Sequence, residues 1–279
     1  ALLFDWPTLS HAVINVDDAA AVRLIPRLLE RGVRTVGFSA TGAAGDRRLA
    51  HMLTAENILP TADGLGFLAK LDGSGVAVEV PVVGHYNVAN LLGVVGVAIA
   101  CGVNFAAAVA ALPHLAPPLG RMQRVVRPGA PLAVVDYAHT PDALAQALLA
   151  LRPLAESRRG KVWVVFGAGG DRDPGKRAPM GAAAARGADV VVVTSDNPRT
   201  EDPSAIVAQV ALGARDAQEL VCLLDRTEAI AHAVQKAAPE DVVLVAGKGH
   251  EDYQVIGTSR QPYSDLAQVR AALAERGRR

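Results

Sequence analysis

Seven consecutive residues, Thr194-Ser195-Asp196-Asn197-Pro198-Arg199-Thr200, place a carboxylate, an amide and a planar guanidinium within four positions. Such a set suits a molecule that carries both an ammonium and a carboxylate: the guanidinium fork matches the carboxylate, and the aspartate only accepts. Val190 to Val193, just upstream, reads as a short buried parallel strand that Asn197-Pro198 ends in a turn. Asp196, Asn197 and Arg199 are then presented at the carboxyl end of a strand, where open α/β sheets bind ligands. A plain turn with solvated charges accommodates the same residues.

Three further polar or Gly-rich stretches follow apolar runs: Asp136-Tyr137-Ala138-His139, Gly167 to Arg177, and Gly247-Lys248-Gly249-His250-Glu251-Asp252. In a parallel sheet all these ends meet on one rim, and this convergence argues for a site more than any single motif does. Gly170 to Arg177 has the spacing of a phosphate loop, but Arg177 stands where Ser or Thr should hold magnesium, and Pro174 removes a backbone donor. Arg172 reads better as an anion-binding donor near Asp196 and Arg199, or as an ion-pair partner of Asp171 or Asp173. Gly247 and Gly249 allow close backbone approach, and Glu251 could accept from an ammonium. His139 is the candidate catalytic residue, able to bond a phosphate or carry a proton, with a structural role as the alternative. Near the middle, Asn87 and Asn90 are three apart at the start of an apolar helix; they share a face near its positive end, or one caps while the other is solvated.

The elements that must position these residues form two runs. In the first, a strand at Ala12 to Val16 precedes Asp17-Asp18, which can cap a helix over Ala19 to Glu30, and a strand at Thr35 to Ala40 completes a βαβ unit. A hairpin is expected around Asp72-Gly73, covering a sheet edge, followed by helices to about Ala100 and Leu112. Pro113, Pro117 and Pro118 mark a boundary. Beyond it, strands at Leu132 to Tyr137, Val162 to Phe166, Val190 to Val193, Val221 to Leu224 and Val242 to Val245 alternate with helices at Pro141 to Leu154, Lys176 to Arg186, Pro203 to Leu212, Arg226 to Ala237 and Asp265 to Glu275. That alternation predicts a doubly wound parallel sheet, to which Tyr253 to Ile256 could add a small edge strand.

Composition excludes several classes. The 279 residues balance 28 basic against 28 acidic side chains, which leaves no electrostatic footprint for nucleic acid or an anionic membrane. Cys101 and Cys222 are the sole cysteines and suggest neither a disulfide framework nor a metal cluster. No apolar run reaches membrane-span length and no signal-peptide order is present, so a cytoplasmic protein is expected. Ala1-Leu2-Leu3-Phe4 opens in mid-pattern, as expected for part of a longer chain.

Gly84-His85-Tyr86-Asn87-x-x-Asn90, Gly120-Arg121-Met122, Asp136-Tyr137-Ala138-His139-Thr140-Pro141-Asp142, Gly169-Gly170-Asp171-Arg172-Asp173, Asp196-Asn197-Pro198-Arg199 and Gly247-Lys248-Gly249-His250-Glu251 occur in the order found in Mur ligases. The chain resembles that family over nearly its whole length, and Asp-Asn-Pro-Arg resembles the branch that adds meso-diaminopimelate to UDP-N-acetylmuramoyl-L-alanyl-D-glutamate in peptidoglycan synthesis. The resemblance implies residues 1–116 as the C-terminal part of a central ATP-binding α/β domain and 117–279 as a Rossmann-like domain that binds the amino acid. It implies ATP-dependent amide ligation through an acyl phosphate with Mg2+, in a monomer. Asn90, with Asn87 beside it, would contact adenine, while Arg121 and Asp136 would hold the ribose and phosphate region. Arg172, Asp196, Asn197, Arg199, Gly247 and Glu251 would bind diaminopimelate. The family's Gly-x-x-Gly-Lys-Thr/Ser loop, its uridine-nucleotide domain and a magnesium-supporting carbamylated lysine, placed just before Ala1, are not in this sequence, so no turnover is expected from it alone. A lysine-adding ligase, an NTPase using Gly170 to Arg177 and a non-catalytic Rossmann-like module are the alternatives.

Overall fold

The computed structural model describes residues 2–61, 64–115 and 118–277. The chain divides into two compact units, residues 1–116 and 117–279. In the first, β1 (His11–Asn15), α1 (Ala21–Glu30), β2 (Arg34–Ser39), β3 (His51–Thr61), β4 (Gly64–Leu71) and β5 (Ser74–Val80) precede α2 (His85–Ala100) and α3 (Phe105–Ala111). The sheet runs β1-β2-β3-β4-β5, parallel through β3 and antiparallel beyond it. The expected hairpin is β4–β5, at the sheet edge. Alternation along β1 divides the core: Ala12 and Ile14 pack with Ile25 and Leu28 of α1, while Val13 joins Leu92 and Val95 of α2. Asp17 does not cap α1. Its carboxylate accepts from Ser39 Oγ at 2.6 Å, Thr41 Oγ1 at 2.6 Å and the Ala40 N–H at 2.9 Å, tying the end of β1 to the end of β2. Asp18 accepts from the Ala20 N–H, and Ala20, the residue before α1, makes no side-chain cap.

The second unit contains β6 (Gln123–Val125), β7 (Leu132–Asp136), α4 (Pro141–Ser157), β8 (Val162–Phe166), α5 (Arg177–Gly187), β9 (Val190–Val193), α6 (Pro203–Gly213), β10 (Glu219–Cys222), α7 (Arg226–Lys236), β11 (Val242–Ala246), β12 (Tyr253–Ile256), β13 (Ser259–Pro262) and α8 (Asp265–Arg276). Its sheet runs β10-β9-β8-β11-β7-β6, all parallel except β6. It is a doubly wound, Rossmann-like α/β layer. α4, α5 and α6 pack in sequence, and α7 packs with α8. β7, β8, β9 and β11 are buried along their whole length, which is why they read as near-continuous apolar runs, valine above all, rather than as an alternation.

Two expectations change here. β12 does not extend the main sheet: it pairs with β13 as a separate antiparallel ribbon, joined to the rim through a parallel bridge between Ile256 and Arg199. β10 begins at Glu219, because its pairing with β9 matches Glu219 to Val190 and Cys222 to Val193. The sheet places β8 and β11 side by side, with the chain leaving β8 toward α5 and leaving β11 toward the ribbon and α8. Loops diverging from adjacent strand ends open a crevice at that point.

Candidate functional site

At that crevice a cleft of about 380 Å³ is lined by Tyr137, His139, Gly167, Ala168, Gly169, Arg172, Lys176, Asp196, Asn197, Arg199, Gly247, Glu251 and Tyr253. The ends of β7, β8, β9 and β11 all reach it. The six residues singled out for amino-acid binding, Arg172, Asp196, Asn197, Arg199, Gly247 and Glu251, are all on its wall, as is His139.

The acidic wall is built around Asp196. The residue is 8% exposed, and its side chain receives no hydrogen bond among the described residues; the Lys248 ammonium lies 3.7 Å away. A nearly desolvated carboxylate without donors is costly to keep, and the cost is recovered only when a donor arrives. Gly247 makes the geometry possible. Its φ is +120°, and a Cβ there would lie 2.5 Å from Asp196 Oδ2. Glu251 accepts from Asn197 Nδ2 at 3.1 Å and lies 3.6 Å from Lys248 Nζ. Asn197 is engaged at both ends of its amide: beside the Nδ2 bond to Glu251, its Oδ1 accepts from Lys248 Nζ at 2.8 Å and from the Val255 N–H at 2.9 Å. It therefore holds the wall together.

Arg199 and Arg172 form the basic side. Arg199 adopts a left-handed φ of 52°, held by its N–H to Val255 O at 3.1 Å and by Gly257 N–H to its carbonyl at 2.7 Å. Its Nη1 donates to Gly170 O at 2.5 Å, leaving the rest of the fork toward the cleft uncommitted. Arg172 is exposed and has neither a hydrogen bond nor an ion pair among the described residues. The acids beside it are occupied elsewhere: Asp171 accepts from Thr200 Oγ1 at 2.8 Å and Asp173 from the Gly175 N–H at 2.8 Å. That second bond also settles the phosphate-loop spacing. A carboxylate sits on the donor a phosphate would need, and Arg177 is buried with its guanidinium on Glu201, Gln209 and the Gly169 carbonyl. The loop is a structural turn.

Two cations and an acid anchor the rim from below. Arg226 and Asp265 are completely buried and paired through Nε at 2.7 Å and Nη2 at 2.8 Å. Arg226 also donates to Ser195 O at 3.3 Å and Ala246 O at 2.8 Å, joining the ends of β9 and β11. Burial opposes its charge, yet the Asp265 pair outweighs burial and raises its pKa. Lys248 is buried, and burial is the main cause pulling its pKa down. Within this cluster Asp196, Glu251 and Asp265 face Arg226 and Lys248, so one negative charge remains uncompensated at the cleft.

Known proteins bear on this arrangement. Residues 1–98 match the model of the Mur ligase middle domain, and residues 120–249 match that of the Mur ligase glutamate ligase domain. The chain belongs to the Mur ligase family. It is 50% identical over 280 aligned residues to the UDP-N-acetylmuramoyl-L-alanyl-D-glutamate–2,6-diaminopimelate ligase of Ralstonia nicotianae, covering 99% of this chain and 54% of that one. The enzyme of the same name from Pseudomonas aeruginosa is 45% identical, with 98% and 54% covered. A solved structure of a ligase with this name superposes with a TM-score of 0.75 at 38% identity, covering 99% of this chain and 55% of the other. Folylpolyglutamate synthase from Thermotoga maritima, 16% identical with a TM-score of 0.63 over 84% of this chain and 50% of that one, shares the fold. The chain thus spans about half the length of the curated relatives it matches.

The residues expected to hold ATP are arranged differently, each within its own unit. Asp136 accepts from the Met122 N–H at 2.7 Å and the Ala138 N–H at 2.8 Å. Arg121 lies 5.0 Å over the Tyr137 ring, and His139 meets that ring edge-on at 4.6 Å, its Nδ1 bonded to Tyr137 O at 2.8 Å. In the first unit, Asn90 Nδ2 donates to Asn87 Oδ1 at 3.2 Å, and Asn87 Nδ2 donates to Val83 O at 2.6 Å. The described residues hold no cluster of three or more His, Cys, Asp or Glu that could hold a metal ion. No helix among them is long and apolar enough to cross a membrane.

Sequence reasoning passed over Lys248, Arg226 and Asp265. One signal was available: Arg226 opens α7, where the helix dipole disfavours a cation, and such a placement calls for a buried partner.

Proposed function

We propose that this chain is the amino-acid-selecting part of an ATP-dependent ligase that adds meso-diaminopimelate to UDP-N-acetylmuramoyl-L-alanyl-D-glutamate, a cytoplasmic step of peptidoglycan synthesis. The observation that carries the proposal is the polarity of the cleft: a carboxylate lacking donors and one uncompensated negative charge on one wall, an unpaired arginine on the other. The distal centre of diaminopimelate has an ammonium and a carboxylate to match. Asp196 and Glu251 receive the ammonium, Arg172 and Arg199 the carboxylate, and Gly247 and Asn197 shape the wall between them. L-Lysine lacks the distal carboxylate and leaves Arg172 unsatisfied.

ATP supplies the phosphoryl group that activates the D-glutamate side-chain carboxylate, and the amine of diaminopimelate displaces phosphate. In this chain Asn90, with Asn87 bonded to it, would contact adenine, Arg121 and Asp136 would hold the ribose and phosphate region, and His139 would bond a phosphate. Asp136 has both oxygens on backbone donors, so a ribose hydroxyl would use its remaining lone pairs. The fit to a triphosphate ends there, because Gly175 and Arg177 are taken. We therefore expect the 279-residue stretch alone not to turn over the UDP-linked dipeptide. Calorimetric titration of the complete ligase with meso-diaminopimelate and with L-lysine tests the reading. It requires tighter binding of diaminopimelate, and equal affinities refute it.

A further inference from the structure

Lys248 is the one fully buried lysine of the rim, and its contacts are unusual for an ion pair. Its ammonium makes its two hydrogen bonds to neutral acceptors, Asn197 Oδ1 at 2.8 Å and Tyr253 O at 2.9 Å. The two carboxylates of the acidic wall stand farther off, Asp196 Oδ1 at 3.7 Å and Glu251 Oε2 at 3.6 Å. The cation is therefore fixed by the backbone and by an amide that is itself fixed, and its charge is shared between two acids without consuming the hydrogen-bonding capacity of either. A direct salt bridge would do the opposite: an incoming ammonium would have to displace it. The other charged or titratable groups around Lys248 are Arg226, already paired with Asp265, and the phenols of Tyr253 and Tyr263.

Resting on the reading of this cleft as the diaminopimelate site, we propose that Lys248 is a positioning residue: it holds Asp196, which has no donor among the described residues, and Glu251, whose one donor is the Asn197 amide, together as a ready seat for the substrate ammonium. Without it the two carboxylates face each other with no cation between them. Two carboxylates sharing one wall with no cation between them repel, which favours protonation of one of them and costs the seat charge.

The test uses the complete ligase with Lys248→Met. The apparent KM for diaminopimelate rises about 10- to 100-fold, the scale of a charged hydrogen bond lost, while that for ATP stays within about threefold. Relative to wild type, affinity for diaminopimelate in the variant improves as pH is raised from about 6 to 8, as the protonated carboxylate ionises. Lys248→Arg recovers part of the loss. The double variant Lys248→Met/Glu251→Gln restores the charge balance, so it folds even where Lys248→Met does not, and its loss is smaller than the two single losses combined. Equal changes in both Michaelis constants, a pH response identical to wild type, or strictly additive losses overturn the proposal, since a lysine that only fills space gives those. Arg199→Ala separates the two levels. If it raises KM for diaminopimelate while Lys248→Met does not, the site reading stands and the role of Lys248 fails; if neither does, the site reading itself is wrong.

Discussion

Two aspartates end strands of the same sheet, and each is 8% exposed, yet they do opposite things. Asp136, the last residue of β7, has one oxygen on the Met122 N–H and the other on the Ala138 N–H, so it braces two loops whether or not a ligand is bound. Asp196, after β9, accepts no hydrogen bond on its side-chain oxygens among the described residues and has an ammonium 3.7 Å away. Equal burial thus hides unequal satisfaction. The group left unsatisfied at equal burial is the one proposed to take its partner from outside.

Disturbing the supports of each aspartate separates their roles. Arg226→Met should have the largest effect, because it strands the buried Asp265 carboxylate and unties β9 from β11. A loss of about 3–5 kcal/mol is expected in denaturant unfolding of the complete protein. Asp196→Asn comes next. It should cost about 2–3 kcal/mol of transition-state binding, read as a roughly 30- to 150-fold drop in kcat/KM for diaminopimelate with stability nearly unchanged. Asp136→Asn should reverse that pattern: one backbone donor then faces an amide N–H, costing about 1–2 kcal/mol of stability, with KM for diaminopimelate within twofold of wild type. The smallest effect is in acid. The Arg177 hydrogen bond holds Glu201 below the usual carboxylate range, and Glu201 also accepts from the Asp171 N–H at the base of the loop that carries Arg172. This contribution is complete above the ordinary glutamate pKa and fades as pH falls through the lowered value, so thermal unfolding temperature should fall more steeply in wild type than in Glu201→Gln below about pH 4.5.

Much of this was legible in the residues, for a physical reason. Strands buried on both faces announce themselves as valine runs, and the turns that end them must be polar, so β8, β9 and β11 and the rim they share follow from composition alone. β6 and β13 escape because three or four mixed residues on an edge carry no periodicity. The residues of the rim were visible, but their states of satisfaction were not. Nothing in the order of residues tells Asp136 from Asp196, and Asn197 reads as a ligand-binding amide although both ends of that amide are spent inside the protein. Lys248, between two glycines, looks like loop decoration. Its burial depends on β12 folding back over it, a contact fixed only by the tertiary structure.

The central claim is that one wall of the cleft takes an ammonium and the other a carboxylate. The most direct measurement is the ratio of kcat/KM for meso-diaminopimelate to that for L-lysine in the complete ligase, before and after Arg172→Ala. The account predicts that the ratio falls at least about tenfold, because only diaminopimelate loses its carboxylate partner while both keep the seat at Asp196 and Glu251. An unchanged ratio, with both amino acids weakened alike or neither affected, would contradict it.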